Sequence, residues 1–235
     1  MRRVVALILL ALAGPAAALD VPCGGRLLDN PLRSWNLAVT RPPIAMGINS
    51  TVVPTGGGLT RSQIEGATIA AVQAWNVLRT GLVHAAVDSS CPRGFAHDGK
   101  PCISYEDPAG TMSGGVLAAT VIWADTGGTH GCTTPDVGAQ TFSDIDDGDI
   151  VFADGWSWTL PTAPGSDICL NGCNKSYDLE GVATHEMGHV LGIDHSANEA
   201  DTMFASFSSC DCSKSSLSAC DIQAGSNLCY GTGCQ

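Results

Sequence analysis

The run THEMGHVLGIDHSANEADTMF, Thr184 to Phe204, holds the side chains from which a metal centre is built: His185, His189 and His195, with Glu186 beside the first. His185 and His189 stand four apart, so on a helix both rings leave one face about one turn apart. At that spacing two imidazoles reach one ion at the ~2.0–2.1 Å of a Zn–N bond. Gly192 lets the chain leave the helix in a left-handed conformation, and the turn brings His195 back as a third ligand. Three neutral imidazoles leave the fourth position of Zn2+ for water, the open arrangement of a catalytic site. Glu186 lies close enough to take a proton from that water. An isolated H-E-x-x-H arises often by chance. A third histidine, Met203 eight residues after it and an export signal upstream are independent additions, and together they make the pattern specific.

These residues need elements to hold them. Asp178 is a suitable N-cap for a helix carrying His185 and His189. An earlier helix starts at Thr60 or Ser62, with Gln63 or Glu65 as reciprocal partner, and Ile64, Ala67, Ala71, Trp75 and Leu78 recur along it until Gly81. A last helix starts at Ser218 with Asp221 as cap partner. Strand character falls on Ile44 to Val53, Leu82 to Val87, Cys102 to Tyr105, Gly115 to Asp125 and Asp149 to Asp154. Between the last two, a polar, glycine-rich loop is expected to about Ser143. The segment before Ile44 reads as chain lying over the surface. Without repeats or a dividing linker, the whole is one mixed α/β unit.

Composition narrows the class. Apolar residues make up 44% and charged ones 14%, which favours a packed core over disorder. A net charge of −12 with only three lysines argues against nucleic acid or an anionic membrane as partner. The N-terminus reads as a secretory signal over residues 1–18: Arg2 and Arg3, an apolar run from Val4 to Ala13, and Ala16 to Ala18 as an A-x-A cleavage site. That run is half the length of a spanning helix, so no membrane anchor is expected. Eleven cysteines suit an oxidising compartment, extracellular or periplasmic, and their odd number leaves one thiol over. For Cys169-x3-Cys173 and Cys210-x-Cys212, disulfides are expected over structural zinc.

The run HEMGHVLGIDH resembles the elongated zinc-binding motif of metzincin metallopeptidases, with Met203 where their Met-turn methionine stands. Ser196 and the eight-residue step from His195 to Met203 are similar to the matrixins, the matrix-metalloproteinase family. DLEGVATHEMGH, GVLAAT, DDGDIVFAD and LSACDIQAGSNLCYG resemble further matrixin stretches, the similarity running from about Ile44 to Gly231. The resemblance implies an α/β (α+β) fold with a twisted five-stranded mixed sheet, an antiparallel edge strand and three helices. It divides the chain into a signal at 1–18, an N-terminal segment at 19–43 and a catalytic domain at 44–235 with a cysteine-rich end. It implies one catalytic Zn2+ on His185, His189 and His195, with Glu186 as general base and Met203 as a floor that is not a ligand. An extended peptide would add to the strand at Gly115, Val116, Leu117 and Ala118. Phe204 and Phe207 would line the pocket for the side chain after the scissile bond, with Ala205 replacing the family's usual proline.

Departures and open alternatives follow. Many matrixins hold a second, structural zinc; Ala119 and Asp149 stand where two of its histidines would align, so that site is expected to be absent. Asp144, Asp146, Asp147 and Asp149 read either as a Ca2+ site or as a solvated acidic turn. Asn49-Ser50-Thr51 and Asn174-Lys175-Ser176 are glycosylation sequons in a eukaryotic source. Cys23, in VPCGG, is either a disulfide partner or a pro-segment thiol that takes zinc's fourth position, as the P-R-C-G cysteine of matrixin zymogens does.

Two functions compete. One is a secreted, monomeric zinc endopeptidase acting on protein or peptide substrates. The other is a non-catalytic secreted module that keeps zinc for stability and binds a protein along its cleft. The intact Glu186 favours the first, because a structural site needs no general base.

Overall fold

The computed structural model describes residues 7–8, 25–27, 32–37, 43–112, 114–163, 166–170 and 173–230. Most of the expected signal segment, and Cys23, lie outside them. The described strands are β1 (Leu7–Ile8), β2 (Gly25–Leu27), β3 (Arg33–Trp35), β4 (Ile44–Asn49), β5 (Val83–Val87), β6 (Cys102–Ser104), β7 (Ala118–Thr134), β8 (Gly138–Phe152), β9 (Trp158–Thr159), β10 (Tyr177–Asp178) and β11 (Ile193–Ser196). Three α-helices have described bounds: α1 (Arg61–Ala74), α2 (Leu179–Leu191) and α3 (Ala219–Ser226).

The main sheet runs β1-β7-β8-β6-β4-β5, with β3 also paired to β8. Pairings β4–β5, β4–β6, β6–β8 and β3–β8 are parallel, whereas β7–β8 and β1–β7 are antiparallel. The expected five strands are present, but the sheet has seven. Of the two extra strands, β1 comes from the apolar run of the expected signal segment and β3 from the N-terminal segment, where turn residues hide a short extended run. Trp35 and Leu37 of that segment are buried, and Trp35 Nε1 donates to Val190 O at 2.9 Å. Among the described strands of residues 44–235, β7 is the antiparallel outer strand, and Leu7 and Ile8 of the expected signal segment pair outside it, opposite Val121 and Thr120.

A second correction concerns the expected loop before Ser143. There β7 and β8 run on as one ribbon from Ala118↔Phe152 to Thr134↔Gly138, with register irregularities between Trp123/Ala124 and Asp125/Thr129. Glycines 127, 128 and 131 lower strand propensity, yet such irregularities tolerate them. The tip is tied down by the Cys132–Cys229 disulfide and by Asp136, whose N–H donates to Asn227 Oδ1 at 2.9 Å. His130 bridges Asp144 and the carbonyl of Cys229.

The helices form where their caps allow. Thr60 and Gln63 close a reciprocal capping box on α1, which buries Ile64, Ala67, Thr68, Ala71 and Val72. This helix stops at Ala74, short of Gly81, and tightens into a 3-10 turn over Trp75–Val77. Trp75 is fully buried there and donates from Nε1 to Thr184 O at 3.0 Å, locking α1 to α2. Ser218 and Asp221 form a second capping box on α3. Cys91–Cys102, Cys169–Cys212 and Cys173–Cys210 staple the loops, so the two close-spaced cysteine pairs bond to each other. No described cysteine is free.

Candidate metal centre

All residues of helix α2 except Glu180 are buried, so it is a core helix that carries His185, Glu186 and His189 inside the fold. Asp178 caps it, accepting from Glu180 N at 3.1 Å. Gly192 ends it at φ 112°, with its N–H donating to Gly188 O and His189 O at 3.1 and 3.0 Å. A Cβ residue avoids that conformation, which is why glycine stands where the chain must double back. Beyond it, β11 carries His195 towards the helix.

His189 Nε2 lies 3.1 Å from His185 Nε2 and 3.2 Å from His195 Nε2. The Nδ1 atoms of His185 and His189 face carbonyls, of Thr202 at 2.8 Å and Ile193 at 2.7 Å. A carbonyl only accepts, so each Nδ1 carries the proton and each Nε2 presents a lone pair. Lone pairs facing one another need a cation between them. Tetrahedral coordination with Zn–N of about 2.0–2.1 Å sets N···N near 3.3 Å, so the triad fits zinc. Burial pushes His185 down to about 3 and His189 well below its ordinary value, keeping both imidazoles neutral. Among the described residues this is the only such cluster of potential metal-binding side chains.

Met203 lies beneath. Its sulfur sits against Gly188, where an added Cβ would meet Sδ at 2.3 Å, and its carbonyl accepts from Ser196 N at 2.8 Å. Asp221 of α3 holds the turn from below, accepting from Thr202 N at 2.9 Å, Met203 N at 3.1 Å and Ser218 N at 2.8 Å. One buried carboxylate thus caps a helix and shapes the turn under the histidines.

Glu186 is 3% exposed and lines a cavity of about 240 Å³ with His185. Residues 114–118, Tyr177, Val182, Ala205, Ser206 and Phe207 complete that lining. Burial raises the Glu186 carboxyl to about 7, and a hydrogen bond from Thr120 works against that rise. Thr120 Oγ1 lies 2.6 Å from Glu186 Oε2. Gly115, Val116, Leu117, Ala118 and Phe207 are therefore brought to the cavity, whereas Phe204 is not part of the lining. Phe204 instead lies under the Lys214 ammonium, 4.7 Å from ring centroid to Nζ, with Phe207 at 5.0 Å. Lys214 is 4% exposed and donates to Ser206 O at 2.8 Å, bracing the cavity wall.

The four acidic residues read as one run turn apart. Asp147 accepts from Asp98 N and Gly99 N, Asp149 from Ala96 N and Cys102 N, Asp144 faces His130 and Asn36, and Asp146 lies 3.4 Å from His97. They do not converge as a Ca2+ site does. Sequence reasoning missed Thr120, Lys214 and the second role of Asp221. Thr120 left one signal, a lone hydroxyl within the apolar run GVLAATVIW.

Fold and site together define the class: a mixed α/β protein whose three clustered histidines could hold a metal ion. Residues 132–231 match the family model described as matrixin. Over 61 residues the chain is 45% identical to matrix metalloproteinase-26 of Homo sapiens, which covers 26% of this chain and 23% of that protein. These matches make the C-terminal part of the chain similar to the matrixins, and the second spans under a quarter of that relative's length.

Proposed function

We propose that the protein is a secreted zinc-dependent endopeptidase. The observation that carries this reading is the convergence of three Nε2 atoms beside a buried carboxylate at a cavity. His185, His189 and His195 would hold Zn2+. When bound, zinc polarises a carbonyl and makes water acidic enough to act as nucleophile near neutral pH. Glu186 takes the proton from the attacking water and returns it to the leaving amine. Burial favours the protonated form of this carboxyl and bound zinc would favour its charged form, so the group is placed to take a proton and give it back. An extended peptide would add along residues 115–118, which line the cavity beside Glu186. Leu117, Val182 and Phe207 supply apolar wall beside the polar groups of His185 and Glu186, favouring an apolar side chain after the scissile bond.

The disulfides support an oxidising compartment. Strand β2 pairs antiparallel with β11, Gly25 opposite Ser196, which supports a place for the N-terminal segment beside His195. A Cys23 thiol that blocks zinc predicts a rise in activity for Cys23→Ala, and a disulfide predicts none.

The test is hydrolysis of gelatin or casein by the purified protein beside Glu186→Ala, with zinc measured in both. An active wild type and an inactive variant that still holds one zinc support the reading. If both hold zinc and neither cleaves, even with residues through Cys23 removed, the endopeptidase reading is lost.

A further inference from the structure

The geometry assigns to Thr120 the positioning of Glu186. The inference rests on the endopeptidase reading and extends it to a residue of the strand facing the base. Thr120 lies on β7 and is fully buried, with its hydroxyl 2.6 Å from Glu186 Oε2 and 3.1 Å from the Glu186 carbonyl. A hydroxyl has one proton, and the shorter contact to the charged group is the stronger acceptor. The hydrogen bond therefore goes to Oε2 and fixes the carboxylate's rotation.

The consequence lies in the other oxygen. No described residue donates to Oε1, so it is left to face the reacting groups. With Oε2 already accepting, a proton taken by the base resides on Oε1, where it is available to the leaving amine. Rotation of the carboxyl would carry that proton away from the cleft, and the hydroxyl opposes rotation.

Strand pairing makes the placement firm. Thr120 stands opposite Ile150 of β8 within the long β7–β8 ribbon. Its neighbours Ala119 and Val121 are buried as well, so the strand cannot slide to relieve a lost contact. The polar side chain among apolar neighbours is thus explained by its partner: desolvating a hydroxyl is unfavourable unless it is hydrogen-bonded.

Thr120→Val keeps the shape and removes the hydroxyl, while Thr120→Ser keeps the hydroxyl. The full-length protein and both variants would be assayed on one quenched peptide, with zinc content and urea midpoints measured alongside. For Thr120→Val we expect kcat to fall about tenfold or more, the size expected for loss of a hydrogen bond to a charged group. KM should stay within about twofold and zinc at one per chain; Thr120→Ser should recover most of kcat. A cycle with Glu186→Ala reads the contact without activity: Thr120→Val should lower the urea midpoint in the wild-type background and much less in the alanine background. Wild-type kcat in Thr120→Val, no recovery in Thr120→Ser, or no coupling in the cycle overturns the assignment. A wild type that cleaves nothing overturns the endopeptidase reading instead, so the two failures are distinguishable.

Discussion

Gly188→Ala is the most direct probe of how the helix meets the turn beneath it. Gly188 lies one residue before His189, and a Cβ there would approach Met203 Sδ to 2.3 Å, Trp75 Cζ2 to 2.8 Å and Met203 Cε to 3.0 Å. Two effects oppose each other. Alanine is favoured over glycine in a helix interior by about 1 kcal/mol. Overpacking a close-packed core costs about 1–3 kcal/mol. Trp75 cannot yield, being fully buried and hydrogen-bonded to Thr184 O. Met203 is held through its backbone by Asp221, so its side chain must rotate off the floor. With two neighbours encroached upon, the upper part of the overpacking range applies, and the net loss is about 1–2 kcal/mol. In a chain of this size that lowers Tm by roughly 2–8 °C. Thermal unfolding followed by circular dichroism, with zinc present, reads the shift. In the double variant with Met203→Ala, the two losses should sum to less than their separate values, because one change relieves the other. A Gly188→Ala protein melting at or above the wild type would refute the close approach.

Other outcomes follow from the same packing. Asp221→Ala strands three backbone N–H donors and should cost about 3 kcal/mol or more in urea unfolding, with weakened zinc retention. Burial raises the Asp178 and Asp149 carboxyls from 3.8 to about 8. The stability linked to each is complete below pH ~4 and is lost as pH rises towards 8, because ionisation is harder in the fold than in the unfolded chain. Asp178→Asn keeps the cap and should therefore gain on the wild type between pH 5 and 9; equal urea midpoints at both pH values would count against a neutral Asp178. Opening Cys169–Cys212, which spans 43 residues, should destabilise more than opening Cys91–Cys102, which spans 11, by about 1 kcal/mol on loop entropy. Lys214→Met, measured against a panel of peptides varied after the scissile bond, should alter preference there, since the ammonium braces the wall at Ser206 and Phe207; an unchanged profile removes Lys214 from specificity.

What could be read in the sequence was local. Capping boxes at Thr60/Gln63 and Ser218/Asp221, the cap at Asp178 and the turn at Gly192 are set by residues a few positions apart, and they appear as expected. The spacing of His185, His189 and His195 is of the same kind. What stayed hidden depends on distant partners. The ribbon beyond Asp125 exists because Cys132 and Asp136 meet Cys229 and Asn227, which no window around its glycines contains. Asp147 and Asp149 looked like ion ligands because carboxylates in a row do, yet their partners are amides about fifty positions earlier. Thr120 and Glu186 lie 66 residues apart, and Lys214 reaches the wall only through the fold.

The two carboxylates on β8 grip the segment from Ala96 to Cys102 by its main chain rather than by its side chains. Every residue type but one supplies the amide they hold. Positions 96 and 98 are therefore free to diverge in composition while keeping their anchorage, whereas Gly99 is held by its φ of 76° and Cys102 by its disulfide to Cys91. At 96, 98, 99 and 102 an imino ring would remove the N–H donor and leave Asp147 or Asp149 short of a partner in the core. A library randomised over positions 96 and 98 should retain folding broadly and lose it at proline, a tolerance that a cluster of ion-binding side chains would not permit.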